Sequence, residues 1–153
     1  MSPRNLSVSK KTHKHLLNKL KDKKILKIYN KFESNLKLNQ SFIVAVSGGP
    51  DSLALSFLTK IYSIKKSINV EYFIVNHNLR KNSLKEAKFV RVLLKKISVK
   101  LNILHWIGKK PKSNIQSIAR SKRYSLLINT AKKLRTKIIL LGHHKGDLYE
   151  NFF

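Results

Sequence analysis

A short apolar run, Phe42-Ile43-Val44-Ala45-Val46, leads directly into Ser47-Gly48-Gly49-Pro50-Asp51-Ser52, and then into Leu53-Ala54-Leu55-Ser56-Phe57-Leu58. The first run reads as a buried strand and the last as the opening of a helix. Two adjacent glycines between strand and helix let the backbone turn tightly and aim N–H groups outward. A helix N-terminus behind such a turn is a natural phosphate seat. No lysine stands in the turn, so it is not the G-x-x-x-x-G-K-[ST] loop, and the G-x-G-x-x-G spacing is absent too. The plain alternative is an ordinary strand–helix turn with Asp51 or Ser52 as N-cap.

The rest of the chain keeps the same alternation. Residues 12–33 read as a basic amphipathic helix with Leu16, Leu17, Leu20, Ile25, Ile28 and Phe32 as its apolar face. Strands are expected at 42–46, 70–75, 101–107 and 138–141. Helices are expected from about 52 to 65, from the capping-box spacing Ser83-Leu84-Lys85-Glu86, and from a second such box, Ser113-Asn114-Ile115-Gln116, to about Leu134. Strands separated by helices of this length imply an α/β fold: a parallel sheet with helices on both faces. Ligands of such sheets bind beyond the carboxyl ends of the strands. Three polar clusters fall there: Ser47 onward, Asn76-His77-Asn78-Leu79-Arg80, and Gly142-His143-His144.

A length of 153 residues fits one core. No apolar run is long enough to span a membrane. There is no cysteine, which removes disulfides and thiol chemistry and fits a reducing, cytoplasmic setting. The first forty residues lack a secretory apolar core, and Arg4 is their only arginine, which argues against a transit peptide. The formal net charge is +26 and is spread along the chain. Such a surface attracts polyanions, with nucleic acid ahead of acidic membrane, and a plain lysine bias as the bland account.

Two arginines and an acidic pair complete the candidates. In the helix opened by the second box, the apolar stripe Tyr124, Leu127, Ile128, Ala131 and Leu134 places Arg120 and Arg123 on the sheet side of the early turns. There they either clamp a phosphate or form a surface pair. Asp147 and Glu150 are spaced to share a helical face just after His143 and His144. That group suits magnesium or an ammonium ion; zinc ligation and simple N-capping by Asp147 are the alternatives.

Ser-Gly-Gly-x-Asp-Ser resembles the pyrophosphatase loop of enzymes that split ATP into AMP and pyrophosphate. Taken in order, 44–52, 75–80, Gln116 to Tyr124 and Gly142 to Asn151 resemble the tRNA(Ile)-lysidine synthetases, members of the PP-loop ATP-pyrophosphatases with a Rossmann-like, adenine nucleotide alpha hydrolase-like fold. The resemblance implies ATP-dependent joining of L-lysine to C2 of the wobble cytidine of tRNA(Ile) with a CAU anticodon. Cytosine O2 attacks the α-phosphorus, pyrophosphate leaves, and the lysine ε-amine then expels AMP. It further implies that Ser47, Gly48, Gly49, Pro50, Asp51 and Ser52 bind ATP, with Asp51 near Mg2+. Arg120 and Arg123 would stabilise phosphate charge. His143, His144, Asp147 and Glu150 would serve the reaction, the two acids holding the lysine ammonium.

The chain departs from the family where Asn76 and Asn78 replace aspartate and glycine, where Gly146 replaces an acid, and where Asn151 replaces threonine. Residues 1–37 are expected to be a basic helical extension and 38–153 a PP-loop domain incomplete at its C-terminal end, since Phe153 falls inside an expected helix. The family reading leaves a homodimer open. Another tRNA-directed ATP-pyrophosphatase and a non-catalytic basic RNA-binding remnant are the competing classes. On any of these readings tRNA binding should fall steeply as salt rises, because lysine and arginine contacts release condensed counterions. A filter-binding constant that stays flat between low and physiological salt contradicts this.

Overall fold

Strand β1 (Phe42–Val46) is the spine of the molecule, and every one of its five residues is buried. Around it, in a computed structural model that describes residue 11 and residues 13–142, stand β2 (Val70–Asn76), β3 (Leu101–His105) and β4 (Ile139–Leu141). The sheet order is β3-β2-β1-β4 and all pairings are parallel. Val46 lies opposite Ile74, Asn76 opposite His105, and Ala45 opposite Leu141. The third strand stops at His105, two residues before the expected end. The Trp106 amide still donates to the Asn76 carbonyl, whereas Ile107 is exposed.

The side-chain alternation of β1 divides the core. Phe42, Val44 and Val46 face one side, where they meet Tyr29 of α1 (Lys23–Leu36), Ile61 and Tyr62 of α2 (Pro50–Lys66), and Ala87, Val90 and Leu94 of α3 (Ser83–Lys95). Ile43 and Ala45 face the other, against Leu127 and Ala131 of α4 (Ile115–Lys133). Helices therefore cover both faces, as the spacing predicts. Among the described residues no helix is long and apolar enough to cross a membrane.

Several local expectations are corrected. The N-terminal helix is not continuous: residues 13–18 are helical, Lys19–Lys21 form one 3₁₀ turn, and α1 starts afresh at Lys23. Asp22 causes the restart, its carboxylate accepting from the amides of Lys24 (2.8 Å) and Ile25 (3.1 Å). The break resets the helical phase, so Tyr29, Phe32 and Leu36 face the core and Ile28 is exposed. Neither capping box forms. Ser83 is already helical and donates to the Arg80 carbonyl, while Glu86 pairs with Arg80 at 3.4 Å. In α4 the cap is Asn114, in a left-handed conformation (φ 49°) with no side-chain bond. Ile128 and Leu134 are each 45% exposed. Ile128 sits one step round the helix from buried Leu127, and Leu134 is the residue after the last turn.

Tyr62 ties the layers together. Its hydroxyl donates to the Leu38 carbonyl at 2.8 Å and accepts from the Leu38 amide at 3.0 Å, fixing the entry into β1. Its ring meets Phe32 edge-on at 6.2 Å. Tyr62→Phe keeps the packing but strands both Leu38 groups, so it should cost about 1–3 kcal/mol. An unchanged urea midpoint would show that the pair contributes nothing net.

Candidate functional site

The sheet order makes β1 the point of reversal. From β1 the chain steps outward through β2 to β3, then returns across the other face by α4 to place β4 on the far side of β1. Ligand crevices of open α/β sheets form where the order reverses, beyond the carboxyl ends of the strands. Ser47 leaves β1 there and Gly142 leaves β4 beside it.

The turn 47–52 is built around one hydroxyl. Ser52 Oγ accepts from the amides of Ser47 (3.2 Å) and Gly48 (3.1 Å), lies 3.1 Å from Ser47 Oγ, and donates to the Gly49 carbonyl at 2.9 Å. This corrects the expectation that the turn aims those amides outward: Ser47 N–H and Gly48 N–H point inward, at a side chain that is 1% exposed. The cap is also corrected. Gly49 is the N-cap and Pro50 the first helical residue, where its missing N–H costs no bond. Asp51 lies exposed in the first turn, favourably placed against the helix dipole. Gly48 has φ +89°, and a Cβ there would stand 3.0 Å from Val90.

Gly142 completes the junction. A Cβ on it would lie 2.8 Å from both the Cα and the N of Ser52. Only a residue without a side chain lets the end of β4 rest on the first turn of α2.

Beside this junction opens a cleft of about 240 Å³, lined by Ser47, Asn76, His77, Arg80, Glu86 and Arg123 among others. Arg123 reaches it from α4 and also lines a small crevice with Ser47 and Gly142. Its Nε donates to His77 Nε2 at 3.4 Å, and burial lowers its pKa from the ordinary value. Arg120 behaves differently from its neighbour. Its guanidinium lies 5.3 Å over the Tyr124 ring and donates to that phenol at 3.1 Å, and it is not among the residues lining the cleft.

Sequence reasoning placed His77 at the functional edge within the cluster 76–80 but gave it no role, and it did not name Lys110. Lys110 Nζ donates to the carbonyls of His77 (3.0 Å) and Trp106 (3.1 Å) while lying 4.4 Å over the Trp106 ring. It pins the segment after β2 to the segment after β3. Burial, then the Arg123 and Lys110 charges, push the His77 imidazole below its usual range. The one available signal was position: His77 directly follows β2 at the functional edge.

The substituted Asn76 and Asn78 are accommodated locally. Asn76 is buried; its Oδ1 accepts from the Asn78 amide at 3.0 Å and its Nδ2 lies 3.4 Å from His105 Nδ1. Asn78 has φ 54°, a conformation that asparagine tolerates better than most residues with a side chain.

His143, His144, Asp147 and Glu150 lie outside the described residues, as do Gly146 and Asn151. Among the described residues no three of His, Asp and Glu gather as a metal cluster.

Residues 17–153 match the model of the PP-loop domain. The chain is 39% identical over 125 residues to a tRNA(Ile)-lysidine synthase of Orientia tsutsugamushi, covering 82% of this chain and 27% of that one. It is 41% identical over 115 residues to the synthase of Bartonella henselae, covering 74% and 23%. It thus spans about a quarter of the length of these curated relatives. A solved structure, the U34-tRNA thiolase NcsA from Methanococcus maripaludis with its [4Fe-4S] cluster, superposes with a TM-score of 0.69 over 80% of this chain and 47% of that chain; at 18% identity it supports the fold alone.

Gly142→Ala should lower the thermal midpoint, at about 1–3 kcal/mol for a methyl forced against backbone, and should weaken nucleotide binding with it. An unaltered melting curve would mean that the junction relaxes freely. With the turn, the reversal point and these matches together, the chain belongs to the PP-loop domain family.

Proposed function

We propose that this chain is the ATP-handling part of a tRNA(Ile)-lysidine synthase, joining L-lysine to C2 of the wobble cytidine in a tRNA(Ile) with a CAU anticodon. The observation that carries the reading is the convergence of the Ser47–Ser52 turn, Gly142 and Arg123 at the reversal point of the sheet. The names of the sequence relatives supply the substrate.

On this reading ATP lies in the cleft with its phosphates toward the N-terminus of α2. The first-turn amides of a helix have no partner within it. Pro50 has none to offer and Gly142 covers Ser52, so Asp51 N–H is the outward donor. The Arg123 guanidinium adds a fixed positive charge where charge gathers on the phosphates as pyrophosphate departs; Arg120 would add a second only by leaving its place over the Tyr124 ring. Asp51 would hold magnesium, which neutralises phosphate charge when bound. Asp147 and Glu150 would hold the ammonium of lysine. Residues 38–153 would handle the nucleotide, and the basic residues of 1–37, a segment whose Tyr29 and Phe32 pack into the same core, would meet RNA. A cytoplasmic setting follows from a tRNA substrate.

Transfer of labelled lysine to an isoleucine tRNA transcript with a CAU anticodon tests the proposal, using this chain and a version extended to the length of its relatives. The extended protein should transfer lysine with matching pyrophosphate release, and Asp51→Ala should reduce both by at least about tenfold, in line with losing one charged group at the phosphates. The 153-residue chain, which spans about a quarter of the length of its relatives, is assayed beside it. No transfer by a folded extended protein that still binds tRNA would overturn the lysine ligation and favour an RNA-binding role.

A further inference from the structure

Two cationic groups donate hydrogen bonds to His77. Arg123 Nε points at its Nε2 from α4, at 3.4 Å. Lys110 Nζ, from the segment after β3, grips its carbonyl at 3.0 Å. The Trp106 ring stands against it edge-on, at 6.3 Å and 84°. Across the cleft, Arg80 is paired with Glu86 of α3. His77 Nδ1 is buried and has no hydrogen-bond partner.

This arrangement fixes the chemistry of the ring. An arginine Nε always carries its proton, so His77 Nε2 must be bare to accept it, and the neutral ring then carries hydrogen on Nδ1. A protonated ring would oppose N–H to N–H, cation to cation, with Lys110 close by and the carboxylate of Glu86 already engaged. Of the five N–H groups of Arg123, one is taken by His77 and four remain, all on the Nη atoms. The side chain is therefore held at its neck, and the residue lines both the cleft and the crevice beside Ser47.

We infer that His77 is a positioning residue: its uncharged Nε2 holds Arg123 by Nε, leaving the Nη pair as the anion-facing edge, and protonation of the ring releases the arginine. This rests on Arg123 serving the phosphate site proposed above. Arginine has many rotamers, and an acceptor that fixes it before the anion arrives reduces the ordering needed on binding. A neutral imidazole can do this without competing for the charge, whereas a carboxylate at the same place would neutralise it.

The test is calorimetric binding of magnesium-ATP to the 153-residue chain, to His77→Phe and to His77→Gln, at about pH 7.5 and about pH 4.5, the lower value set well below the ordinary histidine range because the His77 imidazole is pushed down. Phenylalanine fills the space without an acceptor and should weaken binding by about tenfold at the higher pH, the value of one hydrogen bond to a charged group. Glutamine can accept through Oε1 but does not protonate. It should stay within about threefold of wild type at the higher pH and bind more tightly than wild type at the lower. The γ-phosphate of ATP protonates in the same range, so the ratio of wild type to His77→Gln is the quantity read.

Emission from Trp106, the single tryptophan, gives a second readout without ligand: a titration step in wild type that His77→Gln lacks. If all three proteins bind alike at the higher pH, the positioning role is wrong. If wild type and His77→Gln change in parallel with pH, the release on protonation is wrong. If His77→Phe does not fold, the glutamine comparison alone decides. Wild type that binds no ATP at either pH defeats the phosphate site itself, and the inference with it.

Discussion

The carboxyl edge of this molecule is organised by one hydroxyl. Ser52 Oγ has two lone pairs and one hydrogen, and all are engaged within the turn that it closes. The consequence runs outward. Because Ser47 N–H and Gly48 N–H are gathered inward, the chain can reverse in two residues without leaving buried amides unpaired. Because the turn is that tight, α2 begins directly above β1, and its first peptide becomes the floor on which Gly142 rests. The crevice between β1 and β4 follows from this contact, and Arg123 reaches the same crevice from the opposite layer.

The charge distribution follows a related economy. The chain has seven acidic residues against thirty-three lysines and arginines. The described acids are largely committed to holding structure: Asp22 restarts α1, Glu33 meets Lys65 and Lys66 at 3.1 and 3.3 Å, and Glu86 meets Arg80. These ion pairs are partly exposed and individually weak. Few carboxylates remain to balance the cations, which suits a partner that brings its own negative charge, as RNA does.

Most of the architecture was legible because the apolar runs are short, strongly patterned and separated by polar punctuation. Strand β1 was read with its true boundaries, and the glycine turn was found although its helix opens at Pro50 and not at Ser52. The errors share one cause, since local spacing does not reveal which competing local bond wins. Asp22 was hidden inside an amphipathic pattern that ran past it. Ser83 and Glu86 have capping spacing, yet each found Arg80 instead. Ser52 was read as a cap or a phosphate ligand, and its inward grip depends on a three-dimensional closure that no pattern encodes. Arg120 and Arg123 look equivalent on a helical wheel. Only Arg123 meets an acceptor from the sheet, because His77 projects from β2 at its level and Tyr124 captures Arg120.

The pairing of β4 has a consequence for how the chain acquires its shape. Strands β1, β2 and β3 are neighbours in both sequence and space, so they can join one after another. Ile43 and Ile139, by contrast, are nearly a hundred residues apart in the chain. Contacts at such separation carry a large loop-closure cost and form late. The crevice therefore has no early form. A nascent chain on the ribosome can bury most of β1 against β2 while the nucleotide end of the sheet still lacks a wall. Binding competence should appear abruptly, at the step that docks β4.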